Sequence, residues 1–224
     1  MKIAAILHKV IAGRKENYDI LRENIARAVS DFNPDLIVGP DYGLNYSPSL
    51  VSSNRFYQKI VSDYKLISAK APNTLIMPGT ILYPINGQEM VCEAPVFLNG
   101  KLNRQLWKDR DNGEAELAAK AGFAYKRGSH ENKKFEHKGK KIAVEICGDH
   151  GRQDVRGCDL EVILAFDKLA GFWLGAQNDS FVRKVILCDS YAPKIESWDY
   201  NPKRQPKQIE IKGKQEGNIF TFEI

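Results

Sequence analysis

The chain has 224 residues, 43% of them hydrophobic and 27% charged, with a formal net charge of +5. That balance supports one sizeable core, argues against wholesale disorder and is too mildly basic to mark a dedicated nucleic-acid binder. No run approaches the ~20 apolar residues that span a bilayer, and the short apolar run of MKIAAILHKV is no signal-peptide core, so a single cytoplasmic domain over 1–224 is expected.

KIAAIL (2–7) reads as a buried strand. ENYDILRENIARAVSDF (16–32) follows, with Tyr18, Leu21, Ile25, Val29 and Phe32 spaced as one apolar helix stripe. Pro34 bars the helix from continuing, and DLIVGP (35–40) is a second strand. Strand, helix, strand predicts a βαβ unit with parallel strands. A second helix is predicted over 54–70, with Tyr57, Ile60, Val61, Tyr64 and Ile67 on one side. TLIMPGTILY (74–83) supplies a strand pair interrupted at Pro78 and Gly79.

VCEAPVFLNGKLNRQLWK (91–108) carries Asn99-Gly100 between two strand-like runs, the strongest hairpin signal in the chain. DRDNGEAELAAKAG (109–122) is a polar turn and one or two turns of helix. Three strands follow at 140–147, 159–166 and 182–189, and a terminal hairpin is expected over 208–224. Helices alternating with strands early, and hairpins later, predict a layered α/β sandwich with mixed sheets. Cys92, Cys147, Cys158 and Cys188 show no zinc-type spacing and read as reduced thiols. Lysines and arginines gather at 200–214, a patch for an anionic partner or simply a solvated loop; sparse aromatics argue against nucleic acid there.

Three strands deliver a reactive group at their carboxyl ends: Asp41 after LIVGP, Lys108 after RQLW, and Cys147 in AVEICGDHG. Open α/β sheets bind ligands outside these ends, so the three could converge. A carboxylate that takes the thiol proton, a thiolate that attacks, and an ammonium facing the developing oxyanion would make a coherent machine. Taken singly each has a plainer reading: Asp and Lys as solvated loop residues, Cys147 as a small buried hydrophobe.

The order of these segments resembles the carbon–nitrogen hydrolase (nitrilase) superfamily, whose members use a Glu, a Lys and a Cys in that order. LIVGPDYGL is similar to the family's strand ending in Pro-Glu, VFLNGKLNRQLWK to its hairpin ending in lysine, and TLIMPGTI to a central strand. IAVEICGDHG resembles its cysteine strand, with Asp149 two residues on, and GCDLEVILAF the strand that follows. The resemblance spans about 1–166, leaving 167–224 as a divergent C-terminal part. It implies a four-layer α-β-β-α sandwich, often a homodimer, with no metal or organic cofactor. The implied chemistry is hydrolysis of a small amide, nitrile or carbamoyl substrate through a covalent Cys147 adduct, with Asp41 as base and Lys108 as oxyanion partner. The family's second glutamate, which positions the lysine, falls on Glu116 by spacing, with Glu114 as the alternate. Glu114, Asp149 and His150 are expected beside the substrate.

Two departures matter. Asp41 stands where the family has glutamate, withdrawing the carboxylate by roughly 1.5 Å, and misplacements near 1 Å can cost about a hundredfold. The stretch from Cys147 to Asp159 is too short for the helix the family places there. A Cys147–His150 pair is a rival reading, although cysteine hydrolases usually draw their histidine from elsewhere in the chain. The alternative to an enzyme is a catalytically degenerate scaffold of the same fold that binds a small ligand or a protein partner.

Overall fold

The computed structural model describes residues 1–9, 17–45, 51–129, 133–149, 157–166, 184–189, 195–199, 207–209 and 212–224. Strand β1 (Lys2–Ile6), helix α1 (Asn17–Arg27) and strand β2 (Leu36–Val38) form the expected βαβ unit, with β1 and β2 parallel. Tyr18, Leu21 and Ile25 are buried, as one helix face requires. The helical stretch is not uniform to residue 32. Ala28–Phe32 form a π-helical turn, and Asn33 leaves it in the left-handed region at φ 43°. The wider turn rotates the stripe, so Val29 and Phe32 end only partly buried.

Helix α2 (Asn54–Ala69) starts where the Ser53 hydroxyl accepts the Phe56 N–H at 3.1 Å, and it buries Tyr57, Ile60, Val61 and Tyr64. It leads to β3 (Leu75–Met77), parallel to β2, and then to β4 (Ile81–Pro84). Both β3 and β4 lie antiparallel to the long strand β5 (Glu89–Leu98). The hairpin from β5 to β6 (Lys101–Trp107) turns at Asn99 and Gly100, with φ 51° and 75°, the left-handed pair that the dipeptide predicts. Helix α3 (Glu114–Lys120) and the short β7 (Ala124–Tyr125) complete this half.

The second sheet runs β13-β12-β11-β10-β9-β8, from β8 (Lys134–His137), β9 (Lys140–Ile146), β10 (Leu160–Ala165), β11 (Lys184–Asp189), β12 (Ile195–Asp199) and β13 (Lys207–Ile209). The tail departs from the single hairpin expected over 208–224. β13 pairs with β12 in this sheet, whereas β14 (Gly213–Glu216) and β15 (Ile219–Glu223) form their own hairpin and add to β1 in the first. Ile209 therefore belongs to a different sheet from Phe220 and Phe222, while Ile211 lies outside the described residues.

Face to face, the sheets bury Ile3, Val38, Met77 and Val96 against Val144, Ile146, Val162 and Leu164. On the other side of the first sheet, Ile6, Ile37 and Ile76 pack beneath α1 and α2. Each such aliphatic side chain contributes about 1.5–3 kcal/mol on leaving water. The described residues thus supply three expected layers, α-β-β, while 150–156 and 167–183 lie outside them. No helix among the described residues is long and apolar enough to cross a membrane.

Candidate active site

Asp41 follows β2 by three residues, in a turn locked to the segment between β3 and β4. A Cβ on Gly39 would meet the Pro78 carbonyl oxygen at 2.2 Å, and one on Gly79 would meet the Pro40 oxygen at 2.2 Å, so the two backbones touch. The Leu44 N–H donates to the Thr80 carbonyl at 3.2 Å and ties the turn further. Asp41 is wholly buried. Its Oδ1 accepts from the Thr80 hydroxyl and, at 3.1 Å, from the Tyr42 N–H; its Oδ2 has no hydrogen-bond partner among the described residues. Burial pushes this carboxyl up to about 6, against the pull of the Lys108 ammonium and the Thr80 hydroxyl.

Lys108 ends the β6 hairpin and exposes 1% of its surface. Its ammonium donates to Glu114 Oε1, which also accepts from the Tyr42 hydroxyl. The other oxygen, Oε2, takes the Asn112 N–H at 2.6 Å. Burial works against the Lys108 charge, but the carboxylates of Asp41 and Glu114 hold it above the usual lysine range. The glutamate that reaches this lysine is therefore Glu114, not Glu116. Helix α3 begins at Glu114, and Glu114 and Ala118, one turn apart, both face inward. Glu116 points outward, is 71% exposed and pairs with Lys120 at 2.6 Å.

Cys147 directly follows β9 at φ 46°, a left-handed conformation costly for a residue with a Cβ. Tyr42 shares this trait at φ 53°, so the residues on either side of the site carry the strain. Burial raises the Cys147 thiol to about 11 and Asp41 adds to it, while Lys108 and the Phe166 backbone draw it down. Above them the Tyr42 ring meets Phe166 edge to face at 5.4 Å and lies 6.0 Å from the Lys108 ammonium. Gly148 comes next, packed on the Asn112 side chain; with that amide turned to satisfy both its ends, its oxygen accepts the Gly148 N–H at 3.2 Å.

The Asp149 carboxylate is engaged by neighbouring protein groups. Oδ1 accepts from the Arg110 N–H at 2.6 Å, Oδ2 from the Asp109 N–H at 3.1 Å and from the Lys133 ammonium, and neither Asp149 nor Lys133 is exposed. The carboxylate clamps the two residues that follow Lys108. His150, the other expected substrate neighbour, lies outside the described residues, as does most of 200–214. Cys158 and Cys188 are buried free thiols away from the cluster, whereas Cys92, also buried, feels the charges of Asp41, Lys108 and Glu114. Thr80, Tyr42, Asn112 and Lys133 were not singled out by the sequence. Only Thr80 has a visible cue, its place directly after Pro78-Gly79. Among the described residues, no group of three or more His, Cys, Asp or Glu is placed to hold a metal.

No protein-family model matches the sequence, and no curated protein matches it. Solved structures do. One is a mutant of the amidase from Nesterenkonia sp. AN1 carrying the result of Michael addition of acrylamide at its active site cysteine. It shares 16% identity at TM-score 0.72, over 100% of this chain and 93% of that one. The crystal structure of an amidase from Nesterenkonia sp. matches with the same identity and TM-score, over 100% and 90%. A mutant of the AN1 amidase in complex with butyramide matches equally, again over 100% and 90%. That amidase is described as belonging to the nitrilase superfamily. The likeness establishes the fold: this chain has the α/β sandwich of the nitrilase-superfamily amidases.

Proposed function

We propose that the protein hydrolyses a carbon–nitrogen bond in a small, uncharged amide-like substrate through a covalent adduct on Cys147. The observation that carries this reading is the convergence of Asp41, Lys108 and Glu114 from two strand ends and one helix start, with the Cys147 thiol at a third strand end close enough to feel their charges.

In the proposed reaction Cys147 Sγ bonds to the carbonyl carbon, its proton passes to Asp41 Oδ2, and the carbonyl electron pair moves onto oxygen facing Lys108. Collapse breaks the C–N bond, and the Asp41 proton leaves on the amine. Water then gives its proton to Asp41 and its hydroxyl to the thioester carbon; the C–S bond breaks and Cys147 regains a proton. At rest the pair is a carboxylate, at about 6, and a thiol, at about 11. Moving the proton across that gap costs about 7 kcal/mol. A turnover of about 10 per second has a barrier of about 16 kcal/mol, so the transfer fits inside the attack step. Glu114 positions Lys108 and balances its charge.

A second reading keeps the fold and drops the turnover: a scaffold that binds a small ligand at the same place. The raised Cys147 thiol and the Tyr42–Phe166 contact support it. Ammonia release from a panel of short aliphatic amides, acrylamide and butyramide included, separates the two. Release by the wild type and none by Cys147→Ala supports the hydrolase. Release that survives in Cys147→Ala sinks the mechanism, and binding without release favours the scaffold.

A further inference from the structure

Thr80 is wholly buried, and its hydroxyl joins two neighbours. It donates to Asp41 Oδ1 and accepts the Tyr42 N–H at 2.7 Å. A hydroxyl has one proton to give, and here the carboxylate takes it. That fixes which Asp41 oxygen is engaged: Oδ1 is held from two sides, and Oδ2 is left buried with no partner among the described residues. An orphaned carboxylate oxygen without exposed surface is costly unless it serves a proton or a ligand.

The geometry points to Thr80 as the positioning residue of the base: it seats one oxygen of Asp41 so that the other faces the thiol side of the cluster. This rests on the hydrolase reading and deepens it. A short aspartate has only two side-chain torsions, and the Thr80 hydroxyl with the Tyr42 amide removes the freedom that would let Oδ2 swing away. The groups that act on Asp41 are Lys108 at the end of β6, Glu114 on α3, Cys92 on β5, Cys147 after β9 and the neighbouring Tyr42. Among them Lys108 favours the carboxylate and Glu114 opposes it, and the Thr80 hydroxyl adds a neutral donor that favours it.

Thr80→Val keeps the shape and removes the donor; Thr80→Ser keeps the donor. Turnover of the best short amide is followed from pH 5 to 9 for wild type and both variants, with the pH dependence of unfolding measured alongside. Thr80→Val is expected to lose ten- to a hundredfold in kcat with KM little changed, the scale of a misplaced reacting group. Its acid limb should move up by about one pH unit, because the charged carboxylate has lost a donor. Thr80→Ser should restore both. Wild-type kcat and limb in Thr80→Val overturn the assignment, as does a Thr80→Ser variant as impaired as Thr80→Val. The unfolding curves need no turnover and keep the two ideas apart. A wild type with no turnover on any amide defeats the hydrolase reading and Thr80's part in it. An active wild type whose pH-dependent stability is untouched by Thr80→Val defeats the Thr80 assignment alone.

Discussion

The Glu114 carboxylate reaches the Lys108 ammonium six positions back in the chain, and neither residue exposes more than 1% of its surface. Removing one partner of a buried pair leaves an uncompensated charge, which costs about 3–5 kcal/mol. Glu114→Ala is therefore expected to lose that much stability in urea denaturation and to abolish turnover. Glu116→Ala, on the outer face of the same helix, should stay within about 0.5 kcal/mol and keep full activity. Equal effects from the two would remove the pairing as the reason.

Asp41 gives a pH dependence with opposite signs for stability and activity. Its folded value, about 6, lies above the ordinary 3.8, so between those values the folded chain binds more protons than the unfolded one. Unfolding free energy then falls as pH rises from about 4 to about 6, by about 3 kcal/mol, and stays lower above that. Turnover, which needs the anion, should rise through the same window. Asp41→Asn should be more stable than wild type at pH 7.5, equal to it near pH 4, and inactive at both. Denaturation at the two pH values reads this directly, and an Asn variant no more stable at pH 7.5 would mean the anion sits there without penalty.

Asp41→Glu asks whether the site has room for the longer side chain. The aspartate is wholly buried and held at its present reach by Thr80 and Tyr42, so an extra methylene must displace something. Overpacking of this kind costs about 1–3 kcal/mol. The expected result is a lower melting temperature and at least a tenfold loss in kcat/KM. A large gain in turnover would instead show a site still shaped for glutamate and limited by Asp41.

Asp149→Ala should be among the most damaging single changes, at about 3–5 kcal/mol, because it strands a buried lysine and two backbone amides at once. Adding Lys133→Met should recover part of the loss, making the double variant more stable than the sum of the singles predicts. Strict additivity would mean the two residues do not act as a pair.

Much of the scaffold is readable from residue order. Tyr18, Leu21 and Ile25 announce α1, Asn99-Gly100 announces the hairpin, and the apolar runs place β9 and β10. Asp41, Lys108 and Cys147 stand out because each ends such a run. The supporting groups are less visible, since each depends on where the chain is carried next. Glu114 and Glu116 are equivalent as letters, and only the start of α3 decides which one turns inward. Lys133 lies in a basic stretch, and nothing local says that it folds beneath Asp149. The tail is ambiguous for a similar reason: apolar alternation shows strands at Ile209 and at Phe220 and Phe222 but not which sheet each joins.

The crossing of Gly39–Pro40 with Pro78–Gly79 has a consequence for how this chain can vary. Each glycine faces a carbonyl of the other segment, so the requirement is reciprocal, and no replacement at one position relieves the other. In a saturation library the two sites should behave as one locked column with no compensating pairs, even though neither carries a functional group. Drift in this part of the molecule is then channelled into the side chains that follow each crossing, at positions 41 and 80, where a new base and a new donor can be exchanged while the frame beneath them stays fixed.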